Sequence, residues 1–349
     1  MLEDLNRNLT PLEKLGEFGL IEEIKQQVNV HHSTTVKGIG DDCAVIGSGA
    51  EKWVLTSDVL IEGIHFDLSY VPLKHLGYKS VIVNISDVCA MNVVPTHLIL
   101  NIAISSRFPL EAVQEFYSGV HLACEKYNIE LIGGDTSTSE KGFFISGTAM
   151  GIGNTNEIVY RSGAGDKDLI CVTGDLGAAY AGLQLLEREK RVFIENPNIQ
   201  PDLSGNDYIL ERQLKPEARL DMIRKLKSVG ITPTSMIDVS DGLASEVLHL
   251  CKSSEKGCVI YMHKIPVDIA TSVFLEEMKI FPTIGALNGG EDYELLFTVN
   301  QRDFEKLQEL GDVRIIGYMT DKSMGCKIET EDGRSSDLES SGWNAFAHH

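Results

Sequence analysis

Gly38-Ile39-Gly40-Asp41-Asp42-Cys43-Ala44-Val45-Ile46 places two glycines ahead of two adjacent carboxylates and an apolar run. Glycine tolerates backbone angles that other residues avoid, so a Gly-x-Gly turn lets the main chain approach a ligand closely. A carboxylate at such a turn repels a bare phosphate. It meets one through a divalent cation, and hard Mg2+ prefers carboxylate oxygens. A single stretch of this kind also fits an ordinary surface turn. The pairing of glycine or small polar residues with acids returns, however, in Thr56-Ser57-Asp58, Asn84-Ile85-Ser86-Asp87, Gly133-Gly134-Asp135-Thr136, Asp238-Val239-Ser240-Asp241-Gly242 and Gly289-Gly290-Glu291-Asp292. Each sits at the edge of an apolar segment. That is the pattern expected if several acids converge on one site from strand and helix ends.

The chain has 349 residues, room for two domains, and its 43% hydrophobic content supports a sizeable core. A formal net charge of -20 argues against nucleic acid and against an anionic membrane surface as partners. No apolar run approaches the roughly 20 residues that span a bilayer. The stretch from Met1 to Thr10 is polar and acidic, unlike a signal peptide, so a cytoplasmic protein is expected. Its 7 cysteines include no Cys-x-x-Cys and mostly lie in apolar runs, as in Leu169-Ile170-Cys171-Val172. They read as buried, reduced thiols, and no zinc site is expected.

Apolar spacing predicts a helix over 11–30, weakened by Gly16 and Gly19, and a strand from Trp53 to Ser57 running into Asp58. Residues 79–91 mix β-branched content with helical spacing, and are read as a helix that presents Asp87 beside Asn84 and Met91. Strands are expected over 97–104, 129–132 and 143–151, with a helix from Pro109 to Tyr127. Residues 161–166 look like a junction between halves. Beyond it come a strand over 168–173, a helix over 176–189, an exposed loop over 195–207 and a helix over 217–229. A strand over 235–239 leads into a helix that begins at Ser240-Asp241-Gly242. Strands at 259–261, 293–299, 314–318 and 326–328 complete the pattern. Both halves mix helices and strands without the strict alternation of a doubly wound parallel sheet.

P-loop, Rossmann, nucleophile-elbow and EF-hand signatures are absent. What remains is dispersed carboxylates beside glycine turns. Such groups can hold several Mg2+ ions, which bridge a nucleotide's phosphates and offset charge during phosphoryl transfer.

In order along the chain stand GIGDDCAVI (38–46), TSDVLIEGIHF (56–66), NISDVCAMN (84–92), LIGGDTS (131–137), YRSGAGDKD (160–168), IDVSDGL (237–243) and LNGGEDYELLFTV (287–299). With these the chain resembles thiamine-monophosphate kinase, within the broader superfamily of ATP-dependent aminoimidazole-ribonucleotide synthetase-like enzymes. The resemblance implies an α/β fold of the α+β type with two mixed domains, 1–155 and 156–349. The N-terminal sheets of two chains would pair in a homodimer, with the acidic site between domains. It further implies that Asp42, Asp58, Asp87, Asp135 and Asp238 are the Mg2+ ligands, with Thr56 and Ser57 beside them and Asp241 as a further ligand. Tyr117, Gly134, Asp135, Arg161 and Ser240 match nucleotide-contacting positions. His65 and Glu291 match positions that hold the thiamine phosphate, and Trp343 takes the place of an aromatic near the substrate ring.

The implied reaction is transfer of the ATP γ-phosphate to thiamine monophosphate. A phosphate monoester has a second pKa near ~6, so its attacking oxygen is already anionic at neutral pH. No general base is needed, and the motifs assign none. Some of these residues have simpler roles open to them: Asp58 and Asp87 as helix caps, Arg161 as a surface ion pair, Tyr117 as half-buried core. Two alternatives stay open for the chain as a whole. One is another ATP-dependent enzyme of the superfamily, of the aminoimidazole-ribonucleotide synthetase or selenophosphate synthetase type. The other is a non-catalytic nucleotide- and metal-binding regulator.

Overall fold

The computed structural model describes residues 11–340. In chain order the first half holds α1 (Gly16–Gln27), β1 (Thr35–Lys37), β2 (Ala44–Ile46), β3 (Glu51–Ile61), α2 (Leu73–Ala90), β4 (Pro95–Ile104), α3 (Leu110–Tyr127), β5 (Glu130–Gly133), β6 (Thr136–Thr138) and β7 (Phe144–Asn154). The second half follows with β8 (Leu169–Thr173), α4 (Ala178–Glu195), α5 (Asp207–Leu214), α6 (Leu220–Ser228), β9 (Ser235–Asp238), α7 (Leu243–Ser254), β10 (Lys256–Tyr261), α8 (Ile269–Glu277), α9 (Pro282–Asn288), β11 (Leu295–Val299), α10 (Phe304–Gln308), β12 (Val313–Asp321), β13 (Cys326–Glu329) and β14 (Ser335–Asp337).

Each half is built on a mixed 7-stranded sheet. The first runs β1-β2-β3-β7-β4-β5, with β6 also paired to β4; the second runs β14-β13-β10-β12-β8-β11-β9. At the centre of the first sheet, β3 pairs antiparallel with β7 over its whole length, from Glu51↔Asn154 to Ile61↔Phe144. Alternation along β3 sends Val54, Thr56, Asp58 and Leu60 to one face and Trp53, Ser57 and Val59 to the other. Val54 and Leu60 are buried, whereas Trp53 and Val59 stand exposed.

The ambiguous stretch 79–91 is helical, and α2 begins earlier, at Leu73. Its residues are buried nearly all round, from Leu76 to Ala90, which is how a helix with no polar stripe must sit. It packs on β3 and β7, against α3, and against α5, α6 and β9 of the second half. Val81 and Ile85 therefore share a core with Leu220, Met222, Leu226 and Phe297. Where α2 crosses α3 the backbones nearly touch. A Cβ on Gly77 would lie 1.9 Å from the Phe116 carbonyl oxygen, and one on Gly119 would lie 1.8 Å from that of Lys74.

Several boundaries differ from the sequence-based expectation. Asp58 lies inside β3 and Asp87 in the last turn of α2, so neither caps a helix N-terminus. The helix after Asp238 begins at Leu243, not at Ser240. Ser240 and Asp241 belong to the turn before it, closed by Gly242 at φ +107°, where a Cβ would sit 2.7 Å from the Leu287 carbonyl oxygen. Helix α4 runs on to Glu195, past its last buried residue, Glu189, with Phe193 and Ile194 exposed in its final turns. Helices α5, α8, α9 and α10 have no counterpart in the sequence reading. They are short and take their order from tertiary packing more than from propensity. Among the described residues no helix is long and apolar enough to cross a membrane.

Candidate active site

Three carboxylates from distant parts of the chain meet where the two halves face each other. Asp42 comes from the turn before β2, Asp87 from the end of α2 and Asp238 from the end of β9, each offering an oxygen within 4.8 Å of the others. Small hydroxyls fix their orientation. Thr56 Oγ1 donates to Asp87 Oδ2 at 2.5 Å, and Ser86 Oγ donates to Asp238 Oδ2 at 2.6 Å across the boundary between halves. Asp58 joins them from the same face of β3 as Thr56, and its N–H donates to Asn84 Oδ1 at 3.2 Å. Asp241 borders the group, its N–H donating to Glu246 Oε1 at 3.1 Å.

The cation set on this cluster is Arg161. Its Nε and Nη2 both donate to Asp42 Oδ1, at 3.0 and 2.6 Å. One guanidinium does not neutralise the group. Burial, with neighbouring carboxylates adding to it, raises Asp42 to about 7 against the pull of Arg161. Asp58, Asp238 and Asp241 each rise to about 6, again chiefly through burial. Burial and then the charges of Asp58, Asp238 and Asp42 push Asp87 well above the ordinary carboxylate range. Two residues flanking the cluster, Glu17 on α1 and Glu246 on α7, are raised by burial as well.

Such a site fits a hard divalent cation. Its donors are carboxylate and hydroxyl oxygens, which suit Mg2+. Asp42 Oδ2 is buried and has no hydrogen-bond partner among the described residues, leaving a lone pair for a ligand bond. Gathered like charges that raise each other's proton affinity are what a metal site presents before the ion enters.

Other residues singled out in the sequence lie around or away from this group. Period-2 alternation turns Ser57 to the opposite face of β3, where its Oγ donates to the Gly147 carbonyl oxygen at 2.8 Å. Asp135 is exposed between β5 and β6 and stands outside the group of three. Gly134 is pressed on β4, since a Cβ there would lie 1.9 Å from the Leu100 carbonyl oxygen. Tyr117 is half-buried on α3, edge-on to Phe116. Ser240 accepts the Glu291 N–H at 2.7 Å through its carbonyl oxygen. Glu291 itself, at φ +60°, pairs with Lys79 at 2.8 Å and accepts from Gln213 Nε2 at 3.0 Å. His65 Nδ1 accepts the Ile61 N–H at 3.1 Å. Burial lowers the ring's pKa, with Glu291 opposing and Lys79 assisting, which places His65 beside that pair. Trp343 lies outside the described residues.

The sequence reading missed Ser86, Glu246, Lys79 and Gln213. For Ser86 the signal was present, one position before Asp87 in the same motif. For Lys79 and Gln213 it was not, because their importance comes from a contact between halves.

Comparison with known proteins gives concordant likenesses. Residues 40–153 match the family described as AIR synthase related protein, N-terminal domain. A thiamine-monophosphate kinase of Aquifex aeolicus is 36% identical over 82% of this chain and 87% of its own length. That of Bacillus subtilis is 32% identical over 95% of this chain and 100% of its own. The solved structure of AaThiL complexed with AMPPCP and TMP superposes with a TM-score of 0.81 at 33% identity, covering 97% of this chain and 99% of that one.

Proposed function

The chain belongs to the thiamine-monophosphate kinase family, and we propose that its interdomain acidic cluster is where Mg2+, the phosphates of ATP and the acceptor phosphate are brought together. The reaction is the ATP-dependent phosphorylation of thiamine monophosphate to thiamine diphosphate. The observation that carries the assignment to this site is the convergence of Asp42, Asp87 and Asp238, with a buried oxygen on Asp42 that has no partner among the described residues. These carboxylates, with Asp58 and Asp241 beside them, would hold Mg2+, whose charge would offset that of the phosphates.

The protein's own residues supply the positioning. Thr56 and Ser86 lock the rotamers of Asp87 and Asp238, so the ligand set is preorganised. Arg161 holds Asp42 and would offer its positive charge to the transferring phosphate. Glu246 fixes the turn that carries Ser240 and Asp241. Gly134 and Asp135 would lie against the ATP phosphates, with Tyr117 and Ser240 as further nucleotide contacts. His65 and Glu291 would receive thiamine phosphate, with Ser57 and Trp343 as further members of the proposed set. The acceptor oxygen is already anionic, so transfer is direct and in line, with no base and no phosphoenzyme.

The outward face of the first sheet, with Trp53, Val59 and Ile152 exposed, suits pairing with a second copy. Sedimentation as a stable monomer at micromolar concentration would argue against that homodimer.

A panel of phosphate acceptors with Mg-ATP, followed by phosphorus NMR, tests the whole reading. The expected result is a growing diphosphate signal from thiamine monophosphate alone, matched mole for mole by ADP. Release of inorganic phosphate without a diphosphate product would overturn it.

A further inference from the structure

Three cysteines meet at the end of α7 opposite the Asp241 turn, although no two of them are close in a sequence motif. Cys251 lies in the last turn of α7, Cys258 near the start of β10 and Cys326 at the start of β13. Their sulfur atoms lie within 4.8 Å of one another. The arrangement is built by backbone. Helix α7 ends on Glu255 in the left-handed conformation, which turns the chain straight back into β10. Strands β10 and β13 run parallel with Cys258 directly opposite Cys326. The Cys258 N–H donates to the Gly325 carbonyl oxygen at 3.1 Å, and the Leu338 N–H donates to that of Cys326 at 2.9 Å. Cys251 and Cys258 are buried and Cys326 is half-exposed, so the cluster has one side open for entry. All three are free thiols.

From this geometry we infer that Cys251, Cys258 and Cys326 form a binding site for one soft, thiophilic d10 cation, of the Zn2+ or Cu+ type. Thiolate sulfur selects these ions and discriminates against Mg2+. A metal–sulfur bond of about 2.3 Å puts three sulfurs about 3.8–4.0 Å apart in tetrahedral or trigonal geometry, so the observed spread needs to contract by at most about 1 Å. Among the described residues the group holds no fourth His, Cys or carboxylate, which leaves the remaining position to solvent or leaves the ion three-coordinate. Binding replaces the thiol protons, which leave to solvent, and no oxidation is involved. The expectation from sequence that no such site exists rested on the absence of close cysteine pairs. Strand pairing and a helix–strand turn supply the proximity instead.

The test uses the full reduced chain in excess Mg2+, which keeps the carboxylate site filled. Cd2+ serves as the probe, because its bonds to thiolate give an ultraviolet charge-transfer band that carboxylates cannot produce. The expected result is a band that saturates at one Cd2+ per chain and disappears in C326S, while C171S keeps it. Excess Zn2+ or Cu+ should displace Cd2+ and remove the band, because both compete for the same thiolates. Peptide mapping after alkylation needs no variant: Cys326 should lose its reactivity when Cd2+ is present. Absence of the band, its survival in C326S, or unchanged alkylation of Cys326 would each overturn the site. Phosphoryl transfer should be unchanged in C326S, so failure here leaves the kinase assignment standing.

Discussion

Lys79 Nζ on α2 lies 2.8 Å from Glu291 Oε1 in the turn after α9, an ion pair that joins the two halves of the molecule beside the acidic site. Lys79 is buried, and its Nζ also reaches the Gln213 carbonyl oxygen at 3.4 Å. Glu291→Gln should therefore act twice. Loss of the charge-assisted bond should lower stability by about 1–3 kcal/mol in denaturant titrations. The KM for thiamine monophosphate should rise more than that for ATP. Equal rises in both would move Glu291 from acceptor recognition into the metal shell.

Asp87→Asn removes one of the gathered like charges while leaving an oxygen for Thr56 Oγ1 to donate to. The metal-free variant should be as stable as the parent, or slightly more so. Phosphoryl transfer should be abolished. Mg-ATP at a hundredfold excess over its Kd should stabilise the parent by about 2.7 kcal/mol, a rise in Tm of several degrees. Most of that rise should be missing in the variant. Melts in which Asp87→Asn keeps the full Mg-ATP shift would remove Asp87 from the ligand set.

The raised carboxyls set a pH dependence. Asp42 stands at about 7 and Asp58, Asp238 and Asp241 at about 6 in the folded chain, all above the 3.8 of an unperturbed Asp. Over that window the folded state binds more protons than the unfolded state, so unfolding free energy falls as pH rises. With chelator present, Tm should thus decline between about pH 4 and pH 7. Mg2+ should flatten the decline, because it replaces the protons, and its own affinity should weaken below about pH 7. A chelated protein whose Tm is level across this range would show that the carboxyls are not crowded.

Arg161→Met leaves Asp42 buried without its guanidinium. At a pH where Asp42 is ionised, the metal-free variant should lose about 3–5 kcal/mol. Saturating Mg2+ should restore most of the stability, since the ion takes over the neutralising role, whereas kcat should stay depressed. If Mg2+ restores nothing, Asp42 is not a ligand.

How far the sequence carried the reading depends on the kind of contact. Motif residues at chain turns, such as Asp42, Asp238 and Asp241, were legible because glycine and small polar residues announce them. Asp87 was legible as a helical residue through its spacing with Asn84. Ser57 was grouped with Thr56 and Asp58 by adjacency, but strand alternation sends it to the other face, a distinction that depends on recognising β3 through Asp58. Lys79, Gln213 and the cysteine triad were invisible because proximity there arises only from pairing between distant elements. The short helices α8 and α9 carry weak local signals and are held by α4 and by each other.

The crossing of α2 and α3 has a mechanical consequence. Gly77 and Gly119 let each backbone press into the other, so α2 cannot slide or rotate without collision. Asp87 lies about 15 Å further along the same rod, at roughly 1.5 Å of rise per residue. The position of a metal-facing carboxylate is thereby indexed by a notch on the far end of its helix. One added methyl in that notch would offset the reaction centre without altering any group that touches substrate. Trimming neighbouring side chains could not correct the offset, because the obstruction is main chain.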